Sequence, residues 1–265
     1  MSFYDLSKEA RAKKVRLIYD ELLRLFKENS VAELPFFADE DTYIRKAAYQ
    51  SVGKIFNQHE ELRERILSML QKLLLAEGHQ TRQTSINAAG EIGMKHFEKV
   101  EAMFDRALFD THHSVRNAVI GSIKKMGEKN PRPVLQWAKK YLQHPDSEIR
   151  REICHGIELR GRTHPEDILP LLRELQHDST PRVKNTLVHV IGQISYKKNC
   201  LATVVEHIQR WENKEVVAKA VIEIMDVHER YKNFAALSPG KAKKYIEEKL
   251  YHSAAEKGTS PRLKQ

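Results

Sequence analysis

Glu148-Ile149-Arg150-Arg151-Glu152 is followed 34 residues later by Arg182-Val183-Lys184-Asn185-Thr186, and preceded at the same spacing by Ser114-Val115-Arg116-Asn117-Ala118 and Gln80-Thr81-Arg82-Gln83-Thr84. A further copy, Tyr43-Ile44-Arg45-Lys46-Ala47, lies 37 residues ahead of these. The third residue of each is a cation, which gives the anchors Arg45, Arg82, Arg116, Arg150 and Lys184. Eight residues past the anchor a glycine recurs as Gly53, Gly90 and Gly192, with Ile55, Ile92, Met126 and Ile194 close by. A degenerate sixth copy begins near Glu215-Val216-Val217, without the basic anchor. Self-similarity at such a period marks stacked supersecondary units, each burying its apolar face against its neighbours.

Within a copy the apolar residues fall three and four apart, as in Ile149, Ile153 and Ile157 or Val183, Leu187, Ile191 and Ile194, which is helical and not strand spacing. Asn130-Pro131, His164-Pro165 and Thr180-Pro181 put proline in a first helical turn, where its missing amide proton costs nothing. Asp146-Ser147 and Asp178-Ser179 offer capping oxygens to the helices that follow. The pattern predicts an N-terminal helix over 7–29, helix pairs at 34–56, 60–93, 96–127, 131–161, 165–195 and 200–226, and a last helix over 241–255. The expected fold class is therefore all-α: an α-solenoid of about six two-helix repeats with capping N- and C-terminal helices. Residues 1–255 form one domain in this reading, and 256–265 a flexible basic tail.

With 41% apolar and 31% charged residues in 265, the chain can build a sizeable core. Its longest uncharged apolar runs, such as Leu73 to Ala76, are far short of the roughly 20 residues that span a bilayer, so no membrane association is expected. The N-terminus has no apolar block leading to a cleavage site, and Cys154 and Cys200 are too few and too far apart for a disulfide scaffold. A cytoplasmic location follows as the expectation.

The order of Asp, then Val or Ile with Arg, then a small residue, then Leu or Ile with Gly resembles HEAT and HEAT-like repeats. The Trp, Leu-Gly and Tyr landmarks of tetratricopeptide repeats are missing. From about Trp137 to Trp211, Gln136-Trp137-Ala138, Ser147-Glu148-Ile149-Arg150-Arg151, Gly156, Ile168-Leu169-Pro170-Leu171-Leu172, Asp178-Ser179 and Arg210-Trp211 resemble the AlkC/AlkD-like superfamily of DNA alkylation-repair proteins. The resemblance implies DNA as the partner and, in its enzymes, release of alkylated bases. Such glycosylases need a carboxylate where positive charge develops on the sugar. Where the family has acids this chain has Cys154-His155-Gly156 and Gly192-Gln193, so binding without base release is expected. Glu152 and Glu158, on the same helix, are the acids that could take the catalytic place. Trp137 and Trp211 share stripes with apolar neighbours and read as core.

The net charge is +9, unevenly spread. From Ser114 to Arg162 eleven cations face five acids, whereas from Val31 to Glu61 three face six. Lys124 with Lys125, Arg151 with Arg160 and Arg162, and Lys197 with Lys198 recur about one repeat apart. A row of cations on a basic concave surface would engage the phosphate backbone of duplex or branched DNA, gaining from counterion release. The anchors, by contrast, are expected to form a structural ladder with Asp110, Asp146 and Asp178. No cofactor is expected. No metal is expected either: Glu152-x-x-His155 is a single motif where a di-iron site needs repeated ones. Phosphate-binding and nucleophile-elbow motifs are absent. The alternative is a protein-interaction scaffold taking an acidic protein partner, with a bilin-lyase-like repeat protein third. An apolar and aromatic groove would favour the scaffold.

Overall fold

The computed structural model describes residues 3–28 and 34–252. Among them the chain is all-α, and it has the helix-pair repeats of the α-solenoid class. In order the helices are α1 (Lys8–Glu28), α2 (Thr42–Gln58), α3 (Arg63–Leu73), α4 (His79–Ala107), α5 (His113–Lys129), α6 (Pro131–Tyr141) and α7 (Ser147–Gly156). They continue with α8 (Glu158–Gly161), α9 (Pro165–Arg173), α10 (Pro181–Gln193), α11 (Cys200–Ile208), α12 (Lys214–Arg230) and α13 (Pro239–Glu247). Contacts divide the chain into two compact units, Met1–Trp137 and Ala138–Gln265. None of these helices is long and apolar enough to cross a membrane.

The pairing register differs from that expected. No helix forms over 34–41, and α1 is the first member of the first pair, packing on α2, not a separate cap. Leu34 and Phe37 looked like the apolar face of a helix, but Pro35 and the aspartates at 39 and 41 favour a turn, and both apolar side chains are buried there. Asp41 then caps α2, accepting from the Tyr43 amide. The following pairs each place the anchor on the second helix. α4 holds two such members, joined across His96, whose φ of −133° and ψ of 54° break the helical path. Asn130 and His164, at the same distance from their anchors, have nearly the same angles, with φ of −139° and −138°. The turn inside the repeat is thus itself repeated. At the C-terminus α13 gives way to a π turn over 248–252, and 253–265, which holds the expected tail, lies outside the described residues.

The core follows the helical stripe. Ile18, Leu22 and Phe26 of α1, Val115, Val119 and Ile123 of α5, and Val183, Leu187 and Ile191 of α10 are all wholly buried. Each such side chain contributes about 1.5–3 kcal/mol relative to exposure. Trp137 is core as read, its indole nitrogen donating to Asp105 at 2.6 Å, and Trp211 donates to His207 at 2.9 Å. Asp146 caps α7. Asp178 does not cap α10, because its carboxylate receives Arg150 and the Thr180 amide.

Candidate nucleic-acid interface

Two of the five anchors, Arg82 and Arg150, build the ladder, with one correction to its direction. Arg82 donates from two nitrogens to Asp110, and Arg150 does the same to Asp178, at 2.6 and 3.1 Å. The partner is the aspartate of the next repeat, 28 residues on, and not the one that precedes the anchor. A further guanidinium nitrogen of each turns back to carbonyls five and six residues earlier, such as His144 and Pro145 for Arg150. These cations hold loops together and are spent on structure.

One, five and nine residues past the anchor, side chains project from another face of the same helices. In the first unit this stripe reads Lys46, Gln50 and Lys54 on α2, then Gln83, Asn87 and Glu91 on α4, then Asn117, Gly121 and Lys125 on α5. Glycine at the eighth position brings these helices close. A Cβ on Gly53 would stand 2.5 Å from the Glu91 Cβ, and one on Gly90 would stand 2.4 Å from the Ser122 hydroxyl. Lys125 therefore reaches Glu91 at 3.2 Å and lies 5.5 Å from the Tyr49 ring centroid, so side chains of three successive repeats meet. Burial pushes the Tyr49 phenol up, with Lys125 opposing and Glu91 adding to the shift. Beside them a groove of about 660 Å³ is lined by Gln50, Lys54, Asn57, Gln58, Glu91 and Lys95. Its polar walls are amides and cations beside the Glu91 carboxylate, and Gly53 and Met94 complete the lining.

In the second unit the same stripe places Arg151 and His155 of α7 against Asn185 and His189 of α10. With Arg182 and Thr186 they line a pocket of about 290 Å³. Where other repeats have glycine at the eighth position, α8 carries Glu158. Its carboxylate is only 2% exposed; Oε1 accepts from Arg162 at 2.5 Å, and Oε2 lies 3.1 Å from the His155 imidazole. Glu152 is equally enclosed and lies 3.8 Å from Arg151. Both acids are thus beneath the surface and engaged with cations.

The seven cations named from sequence have different settings within their units. Lys125 and Arg151 lie on the stripe. Arg160 turns to α9 and pairs with Asp167 at 2.6 Å, and Arg162 bridges Glu158 and Gln193. Lys197 and Lys198 are exposed in the turn before α11, and Lys124 takes the glycine place on α5. Adjacent helical residues point about 100° apart, so a sequence doublet cannot act as a unit on one face. Arg151 is held by Glu148 at 2.6 and 2.8 Å. Lys46, Lys54, Lys95 and Arg182 were not among the cations named from sequence; counting one, five and nine residues from the anchor reaches Lys46 and Lys54 but not Lys95 or Arg182. Among the described residues no cluster of three or more His, Cys, Asp or Glu is arranged to hold a metal.

No family model matches the sequence, and no curated protein is similar enough to count as a relative. Among solved structures, AlkD2 from Streptococcus mutans is similar over 77% of this chain and 97% of its own, at a TM-score of 0.51 and 17% identity. An archaeal HEAT-like repeats protein from Thermococcus onnurineus covers 92% of this chain and 91% of its own, at 0.40 and 15%. The Pds5-Scc1 complex structure covers 92% of this chain with 38% of its own, at 0.47 and 14%. At such identities the likeness is one of architecture, and the chain has the HEAT-like repeat fold of the AlkD type.

Proposed function

We propose that the protein binds the phosphate backbone of duplex or branched DNA by charge and shape, through basic concave surfaces of its repeats, and does so without releasing bases. The observation that supports this most is the groove of the first unit, where Lys54 and Lys95 stand among the amides of Gln50, Asn57 and Gln58, with Lys46 and Lys125 on the same stripe of helices. Phosphate oxygens accept from both ammonium and amide groups, whereas a protein-binding groove is built around apolar and aromatic anchors. In the second unit Arg151 and Arg182, with Asn185 and Thr186, offer a similar set of donors. Enclosure of Glu152 and Glu158 fits binding without glycosylase chemistry. Two buried cysteines, Cys154 and Cys200, fit a reducing cytoplasm.

The test is fluorescence anisotropy with plain duplex, single-stranded and four-way-junction DNA over a salt series, with release of alkylated bases followed in parallel. Binding that weakens with salt, and drops about tenfold in a Lys54→Glu, Lys125→Glu double variant, is expected. No binding to any of the three at low salt would turn the assignment to an acidic protein partner.

A further inference from the structure

Before α11 the chain turns at Asn199, whose φ of 66° is left-handed, and beside this turn lies a pocket of about 270 Å³ in the second unit. His228 lines it while only 1% exposed. Its Nδ1 lies 2.9 Å from the Ile224 carbonyl, so Nδ1 carries the proton and donates, and Nε2 remains an acceptor that takes no hydrogen bond from the described residues. Burial holds this imidazole below its ordinary pKa, which keeps it neutral. Leu201, Ala202, Leu237 and Tyr245 supply apolar walls. At the mouth stand the exposed Lys197 and Lys198, beside the first turn of α11, to which Asn199 gives no side-chain cap. Uncapped first-turn amides at the positive end of a helix favour an anion.

Three features must be met at once: a buried acceptor, an apolar slot and a cationic mouth. A fatty acid has an anion and an apolar body but no donor at depth, so it would strand the imidazole nitrogen. Inorganic phosphate has no apolar body. A nucleobase with an amino or ring N–H, joined through its sugar to phosphate, meets all three. The volume falls below the roughly 300–1,000 Å³ of sites for larger ligands, which suits one ring system and not a stack. We infer that this pocket seats a single nucleotide, with the base inward on His228 Nε2 and the phosphate outward on Lys197, Lys198 and the amides of α11. That nucleotide is either free or the unpaired end of a strand. Because Lys197 and Lys198 were also read as DNA contacts, the outer half of the site rests on the proposed function.

Calorimetric titration of the full chain with dAMP, inorganic phosphate and the purine deoxynucleotide lacking the amino group tests the site. A duplex with a one-nucleotide 2-aminopurine overhang, followed by fluorescence, tests the strand-end source. Binding of dAMP at least tenfold tighter than phosphate is expected, with most of that gain lost in the analogue lacking the amino group. Ala202→Phe fills the slot from its half-exposed wall and abolishes dAMP binding while blunt-duplex affinity stays. Lys125→Glu does the reverse. Overhang quenching that Ala202→Phe removes assigns the strand end, and dAMP binding without quenching assigns the free nucleotide. Equal affinity for phosphate and dAMP, no response to either nucleotide probe, or dAMP binding unchanged in both Ala202→Phe and His228→Leu overturns the inference. Retained dAMP binding with no duplex binding overturns the DNA reading alone.

Discussion

Asp178 concentrates several demands on one carboxylate. Burial pushes it up, but the two Arg150 hydrogen bonds and the Thr180 amide pull it further down, leaving it below the ordinary aspartate range. A depressed carboxylate contributes stability that is present above its unfolded pKa of about 3.9 and is lost as pH falls through the folded value. With Arg150 13% and Asp178 4% exposed, removing one partner strands the other. Asp178→Ala should therefore cost about 3 kcal/mol in urea unfolding at pH 7, and progressively less as acid protonates the folded-state carboxylate. A cost under about 1 kcal/mol at pH 7 would mean that the ladder is decoration. His228 works in the opposite pH range. Burial lowers its pKa, so its neutral form belongs to the fold, and stability is lost as pH falls below about 6.5, where the unfolded imidazole takes up a proton. The urea midpoint should fall between pH 7 and pH 5, and His228→Gln should flatten that slope.

At the scale of helices, glycine at the eighth position sets how closely repeats approach. Gly90→Ala places a methyl 2.4 Å from the Ser122 hydroxyl and 2.7 Å from its Cβ, so α4 and α5 must part. Overpacking of about 1–3 kcal/mol outweighs the roughly 1 kcal/mol that alanine gains in helix propensity. Gly121, in α5 with nothing within 4 Å of its would-be Cβ, is the control. There alanine should stabilise by up to about 1 kcal/mol, and thermal melts of the two variants should move in opposite directions. The anchors and glycines were visible in sequence because they recur at fixed spacing. The start of the first pair was not, since Leu34, Phe36 and Phe37 mimic an amphipathic helix. What places them is Phe37, buried in a turn, whose carbonyl accepts the Thr84 hydroxyl of a distant helix. The cationic doublets were counted along the chain, whereas residues that share one helix face are counted from the anchor.

For the whole molecule, the sequence expects one folding domain over 1–255, while contacts mark two compact units whose division falls inside α6. We expect one cooperative transition, since neighbouring repeats share interfaces in such arrays. Calorimetric and van't Hoff enthalpies that agree would support this, and a calorimetric value about twice the other would divide the chain in two.

The contact between Lys125 and Glu91 has a further consequence. A lysine resting against a tethered carboxylate holds fewer mobile salt ions, and a phosphate that displaces Glu91 exchanges one fixed anion for another. For the proposed binding to DNA, the plot of log affinity against log salt will then have a slope shallower than the number of phosphates touched. Replacing Glu91 with Gln should steepen it by about one, so that the apparent stoichiometry of ion release rises although no new contact to DNA has been made.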